Sequence, residues 1–109
     1  MSSRAVMTVA VLIASVGGAA MGKPRESKTH TVTIEGMRFH PLVLTAAPGD
    51  TVVWINKDVV PHTVTASAGL DSGTIDAGQS WRYTAGKKTG EIGYVCTFHP
   101  TMKATLRIR

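Results

Sequence analysis

One cysteine, Cys96, is all the thiol chemistry in this 109-residue chain. A lone cysteine excludes an internal disulfide. The basic residues form no long run and no patch interleaved with aromatics, so nucleic acid is not an expected partner. There are no internal repeats and no low-complexity tracts, and the length allows one small domain. The first 20 residues contain neither a twin-arginine pair nor a cysteine that could take a lipid.

That N-terminal stretch has its own pattern. Arg4 is followed by the uncharged, largely apolar run AVMTVAVLIASVGGAA, residues 5–20, which ends in small residues before Lys23, Arg25, Glu26 and Lys28. Positive, apolar, small, then polar is the order of a secretory signal peptide. A membrane anchor is the competing reading, but the run is short for a span of ~20 residues and rich in Gly, Ala and Ser. Residues 1–20 are therefore expected to be a signal peptide cleaved near 20–22. A short charged segment (21–29) and a single domain (30–109) would follow, exported to the periplasm.

Arg4 is the only charged residue among the first 20, so the mature chain would carry +4 instead of +5. A basic surface of this kind speeds encounter with an acidic protein. A domain of this size buries only about two thirds of its unfolded surface. Small secreted domains usually add disulfides or a metal to compensate. With no disulfide available, a metal is the staple to look for.

The rest of the chain reads as short strands between Gly/Pro turns. HTVTIEG (30–36) alternates Val32 and Ile34 with threonines, the period of a half-buried strand. LVLTA (42–46) runs into the turn Ala47-Pro48-Gly49-Asp50, and TVVWIN (51–56) places Val52 and Trp54 on one face. HTVTAS (62–67), SWRYTA (80–85), EIGYVC (91–96) and KATLRIR (103–109) continue the style. The expected fold is all-β, an antiparallel β-sandwich. Trp54, Val52, Ile92 and Tyr94 are expected in its core. Tyr94 also resembles the corner tyrosine of sandwich folds. The Gly/Asp/Ser-rich stretch 68–79 reads as the longest irregular connection.

The chemistry is concentrated in CTFHPTM, where Cys96, His99 and Met102 follow the spacing C-x2-H-x2-M. Cys96 is expected at a strand end, and the other two on the loop after it. Cys and His both bind zinc well. A thioether suits copper instead, and a thiolate, two imidazoles and a weak methionine form an electron-transfer copper set. His62, which follows Pro61 at the start of a strand, is the second imidazole. His30 and His40 read as ordinary surface histidines, and Met37 as packing beside Phe39.

GMRFHP, PGDTVVWIN, PHTVTA, GEIGYVC and CTFHPTM together resemble the cupredoxins of the plastocyanin group, over about Thr31 to Arg109. The two-residue gap between His99 and Met102, with Pro100 in it, looks most like that of the amicyanins; plastocyanins and pseudoazurins have a longer loop. The resemblance implies a Greek-key sandwich holding one copper ion, cycling between Cu(I) and Cu(II), near one pole. His62, Cys96, His99 and Met102 would be the ligands. Thr63, Thr97 and Pro100 would lie around them, and Val60, Pro61, Phe98 and Pro100 would form an apolar docking patch beside an exposed His99. Its partners would be redox proteins, with a dehydrogenase as donor and a c-type cytochrome as acceptor, and the carrier a monomer with no small-molecule substrate. Two positions depart from the family. Thr63 stands where the family commonly has Asn, and GKKTG (86–90) is longer than usual.

Two other function classes can be weighed. A copper carrier or buffer would use the same ligands, but the chain lacks the Met- or His-rich arms that assist metal transfer. An enzyme could pair Cys96 with His99 as nucleophile and base. Loop residues aimed at one metal leave little room for substrate, and four histidines are too few for a multicopper oxidase.

Overall fold

The computed structural model describes residues 24–109, so the expected signal peptide and its cleavage site lie outside the described residues. Nine strands follow in order: β1 (Thr29–Ile34), β2 (Phe39–His40), β3 (Val43–Ala46), β4 (Thr51–Asn56), β5 (Thr65–Ala66), β6 (Leu70–Asp71), β7 (Ser80–Thr84), β8 (Gly90–Cys96) and β9 (His99–Ile108). They form two sheets, ordered β2-β1-β4-β7 and β3-β9-β8-β5-β6. This is the expected all-β sandwich.

Period-two patterning explains the core. In β4, Val52, Trp54 and Asn56 are buried, while Thr51, Val53 and Ile55 are half-buried. In β9, Met102, Ala104, Leu106 and Ile108 share the inward phase. Trp54 lies at the centre, edge-on to Tyr94 with ring centroids 5.7 Å apart and tilted against Trp81 at 5.4 Å. Its Nε1–H donates to the Tyr94 hydroxyl at 3.1 Å. That hydroxyl therefore bonds a core indole and not a backbone corner. Burial pushes the Tyr94 pKa up to about 12, with the Trp54 N–H acting in the opposite direction.

The ladders are not all antiparallel. β1 pairs in parallel with β4, and β3 with β9. The chain leaves β1's sheet to form β3 and then returns, so β4 runs beside β1 in the same direction. Three other boundaries differ from the sequence reading. The strand expected at 62–67 contracts to β5, because His62 makes its own isolated bridge with Ile75. The 68–79 connection contains β6 and two buried anchors, Leu70 and Ile75. The last strand begins at His99 instead of Lys103. GKKTG forms an exposed turn ahead of and into β8.

At the pole where β4 starts, Pro48 and Gly49 (φ +87°) build a turn closed by the Asp50 N–H donating to Ala47 O at 3.0 Å. Pro first and a positive-φ Gly second are what a type II turn requires. Asp50 is fully buried. Its carboxylate accepts from Arg25 Nη1 and Nη2 (2.8 and 3.1 Å), Lys28 N (2.9 Å), His30 Nε2 (2.8 Å) and Ala47 N (3.0 Å). His30 is thus no ordinary surface histidine. The charged segment before β1 is tied down through it and Arg25.

Arg25 first, then Lys28 N–H, His30 and Ala47 N–H hold the Asp50 carboxyl far below the usual range, against the opposing effect of burial. A depressed folded-state pKa means the stabilisation is complete above the unfolded value of about 3.9 and fades as pH falls below it. Asp50→Asn is expected to lower the melting temperature by roughly 5–10 °C at neutral pH. Thermal melts followed by circular dichroism should show the gap from wild type narrowing as pH drops below about 4.

Candidate metal centre

The opposite pole is built where β4 ends. Asn56 is fully buried there, and its Nδ2 donates to Val60 O and Ile75 O, both at 2.9 Å. Its Oδ1 accepts the Asp58 N–H at 2.9 Å. The loop 57–61 is therefore wound around one amide, which delivers His62 to a fixed place. The His62 N–H donates to Ile75 O at 3.1 Å and its carbonyl accepts the Ile75 N–H at 2.8 Å. The imidazole has no solvent exposure.

Cys96 ends β8 and faces His99, which begins β9 after the two-residue turn Thr97-Phe98. The next ladder pair is Val95 with Lys103, so Pro100, Thr101 and Met102 form a bulge. Bulges bend a strand and re-aim its side chains. His99 and Met102 thus belong to a strand instead of the free loop expected from the sequence. The β8–β9 ladder holds them, and Met102 keeps the inward phase and is 5% exposed.

His62 Nδ1 lies 3.6 Å from Cys96 Sγ, and His99 Nδ1 lies 3.7 Å from it. One ligand atom from each of the three residues falls within 4.8 Å of the others. Two donors sharing a first-row ion, with metal–S of about 2.3 Å and metal–N of about 2.0 Å, stand roughly 3.5–3.7 Å apart at tetrahedral to trigonal angles. The sulfur-to-nitrogen spacings match that requirement. A thiolate and two imidazoles suit one copper ion.

Asp58 prepares this arrangement, and the sequence reading missed it. Its Oδ2 accepts the His62 Nε2–H at 2.7 Å. With the proton on Nε2, the Nδ1 lone pair is left facing the sulfur. The carboxylate also accepts Gly36 N–H (2.7 Å, Oδ1) and Met37 N–H (3.0 Å, Oδ2). Burial raises the Asp58 pKa, but the Met37 N–H, the His62 ring and the Gly36 N–H outweigh it, and the carboxyl sits below its usual value. Met37, expected to pack beside Phe39, instead adopts φ +60° and is 41% exposed. Such backbone costs on the order of 1–3 kcal/mol for a non-glycine, and the Asp58 bonds hold it. The four-residue offset from Asp58 to His62 was the one signal available in the sequence.

Thr63 lies buried beside the site, and its N–H donates to Cys96 Sγ at 3.4 Å. Its Oγ1 accepts the Thr97 N–H at 2.9 Å and lies 3.1 Å from Thr97 Oγ1. A threonine thus spans the two loops where the family commonly uses Asn. Pro100, Pro61, Val60 and Phe98 are exposed at this pole, as is Val59, which at 93% is the most exposed large apolar residue among the described residues and was not singled out from sequence. His40 is exposed, with its Nε2 3.2 Å from Glu35 O, and takes no part in the site.

Comparisons with known proteins agree with this geometry. The chain matches the cupredoxin-like domain family over residues 5–108. It is 32% identical to the amicyanin of Paracoccus versutus and 33% identical to that of Paracoccus denitrificans, each over 78 residues and 66% of this chain. Those stretches span 58% and 59% of the two relatives' lengths. A reduced amicyanin variant superposes with a TM-score of 0.68 at 30% identity, covering 74% of this chain and 82% of that one. A copper-containing nitrite reductase from Thermus scotoductus matches with a TM-score of 0.69 at 27% identity, over 81% of this chain but 24% of the enzyme.

Removing a hydrogen-bond partner that orients a metal-binding histidine typically costs 10–100-fold in affinity. Asp58→Ala is expected to weaken copper binding by about that factor, measured by competition with a chelator of known strength.

Proposed function

The chain belongs to the cupredoxin-like family, and on that premise we propose that it is an exported carrier of single electrons, with one copper ion held by His62, Cys96, His99 and Met102. The observation that carries this reading is the convergence of His62 Nδ1, Cys96 Sγ and His99 Nδ1, already set for a metal by the protein's own hydrogen bonds. Bound copper supplies a Cu(I)/Cu(II) couple that accepts and gives up one electron at a time.

The chain's own residues make that exchange easy. Cys96 would hold the copper as a thiolate, with the Thr63 N–H donating to its sulfur. Asp58 keeps the His62 ring in one tautomer and one orientation. Met102, on the inward phase of β9 and 5% exposed, would be the weak fourth ligand. Because His62 sits on a pinned loop and the other donors on the β8–β9 ladder, the chain would hold the donors in nearly one arrangement as the copper changed oxidation state.

Cys96 has no solvent exposure, which denies it a substrate and argues against nucleophilic catalysis. The same burial argues against rapid copper release to another carrier. The nitrite reductase matches over too small a share of its length to lend its activity. His99 is half-buried and is the ligand nearest the surface. Around it Val59 (93% exposed), Phe98 (50%), Val60, Pro61 and Pro100 form the apolar patch on which redox partners dock. In this reading a dehydrogenase is the donor and a c-type cytochrome the acceptor, met by a monomer in the periplasm. The basic excess favours partners with acidic surfaces.

Adding Cu(II) to the purified mature domain should produce an intense blue thiolate-to-copper band and a reversible one-electron wave. Cys96→Ser should abolish the colour, whereas His30→Ala should keep it and lose only stability. A colourless, redox-silent wild type would sink the carrier reading. The docking patch is tested separately: Val59→Gln is expected to slow electron exchange with a c-type cytochrome roughly 5–10-fold, read by stopped flow, with no change in potential.

A further inference from the structure

Thr63 touches the sulfur through its backbone and the facing loop through its side chain, so whatever fixes Thr63 also governs the Cys96 sulfur. Its hydroxyl has two acceptor lone pairs and one hydrogen. One lone pair takes the Thr97 N–H at 2.9 Å. The second takes the hydroxyl hydrogen of Thr65, whose Oγ1 lies 3.0 Å away. With both lone pairs filled, Thr63 must give its own hydrogen to Thr97 Oγ1, 3.1 Å away. All three capacities of a rotatable group are used, and its direction is set.

Thr65 is the member of this chain that no metal-site reading requires. It is half-buried in β5, paired with Val95 of β8 and Asp71 of β6, so its own position is held by two strands. Without its hydroxyl, the Thr63–Thr97 hydroxyl pair could donate in either direction, and the Thr63 side chain would keep only its Thr97 partners. The Thr63 N–H would then be less well aimed at Cys96 Sγ, 3.4 Å away. Hydrogen bonds to the cysteine sulfur are among the features that set the potential of such a copper site.

We propose that Thr65 is a positioning residue for the copper thiolate, acting through Thr63 to hold the N–H···S bond. The proposal rests on the electron-carrier reading. A well-aimed N–H draws electron density from the sulfur, which favours Cu(I) and lowers the energy of the sulfur orbital. Its loosening therefore lowers the reduction potential and moves the blue band to longer wavelength.

Thr65→Val keeps the shape and suits a strand, so the fold is retained. Three measurements decide the matter. In the copper-free protein, amide hydrogen exchange at Thr97 should rise several-fold in Thr65→Val. In the copper-loaded protein, the potential should fall and the band should shift to longer wavelength. Thr65→Ser, which restores the hydroxyl, should return all three toward wild type. An unmoved potential and band in Thr65→Val overturns the proposal, even if the melting temperature drops, because the residue would then be scaffold only. A Thr65→Ser protein that behaves like Thr65→Val overturns it as well. If wild type stays colourless with copper, the carrier reading fails, and Thr97 exchange in the copper-free protein alone decides whether Thr65 locks the tie.

Discussion

The structure depends on keeping a buried sulfur between two imidazole nitrogens, with Cys96 Sγ 3.6 Å from His62 Nδ1 and 3.7 Å from His99 Nδ1. Electron-pair donors aimed at one another in a dry interior gain little without a cation between them. They stay in place because each belongs to an element that cannot easily yield. Cys96 and His99 face each other across the end of the β8–β9 ladder, and the two-way bridge to Ile75 fixes His62. The sandwich acts as a frame that tolerates an arrangement useful only to a metal.

Two carboxylates secure that frame, one at each end of β4. Asp50 precedes the strand and Asp58 follows it by two residues. Each accepts two backbone N–H groups and one imidazole N–H, and Asp50 takes Arg25 in addition. Three of their four backbone partners flank β1, Lys28 just before it and Gly36 and Met37 just after, while Ala47 belongs to Asp50's own turn. Because β1 and β4 are parallel, their starts share one pole and their ends the other. One pair of short acidic side chains can then clamp β1 to β4 at both ends. The metal-end clamp has a second duty, since its remaining bond orients a ligand ring.

Much of this was legible in the sequence, and the limits have physical causes. Alternating apolar residues announced the strands, and Val52 and Trp54 are buried as the period requires. Cys96, His99 and His62 were recognisable from residue chemistry and short spacing. Asp58 was not, because a lone acidic residue in a loop reads as solvated until its partners are known. Met37 was misread for a similar reason. Its side chain is exposed because the backbone there is held at positive φ by a carboxylate 21 residues away. His30 looked like a surface residue because nothing local indicates that Asp50 is buried beneath it.

The sequence by itself determined the donor chemistry and the sandwich class. Both are local: a thiol, an imidazole and a thioether three residues apart stay close in any fold, and strand periodicity is a nearest-neighbour property. The tertiary structure decided which distant histidine joins them, 34 residues from Cys96, and how firmly it is held. It also set the bulge that makes His99 and Met102 part of a strand, and the hydroxyl chain that reaches the sulfur through Thr63. Those outcomes depend on strand register and on which polar groups are buried together. Neither quantity is fixed by any short stretch of chain.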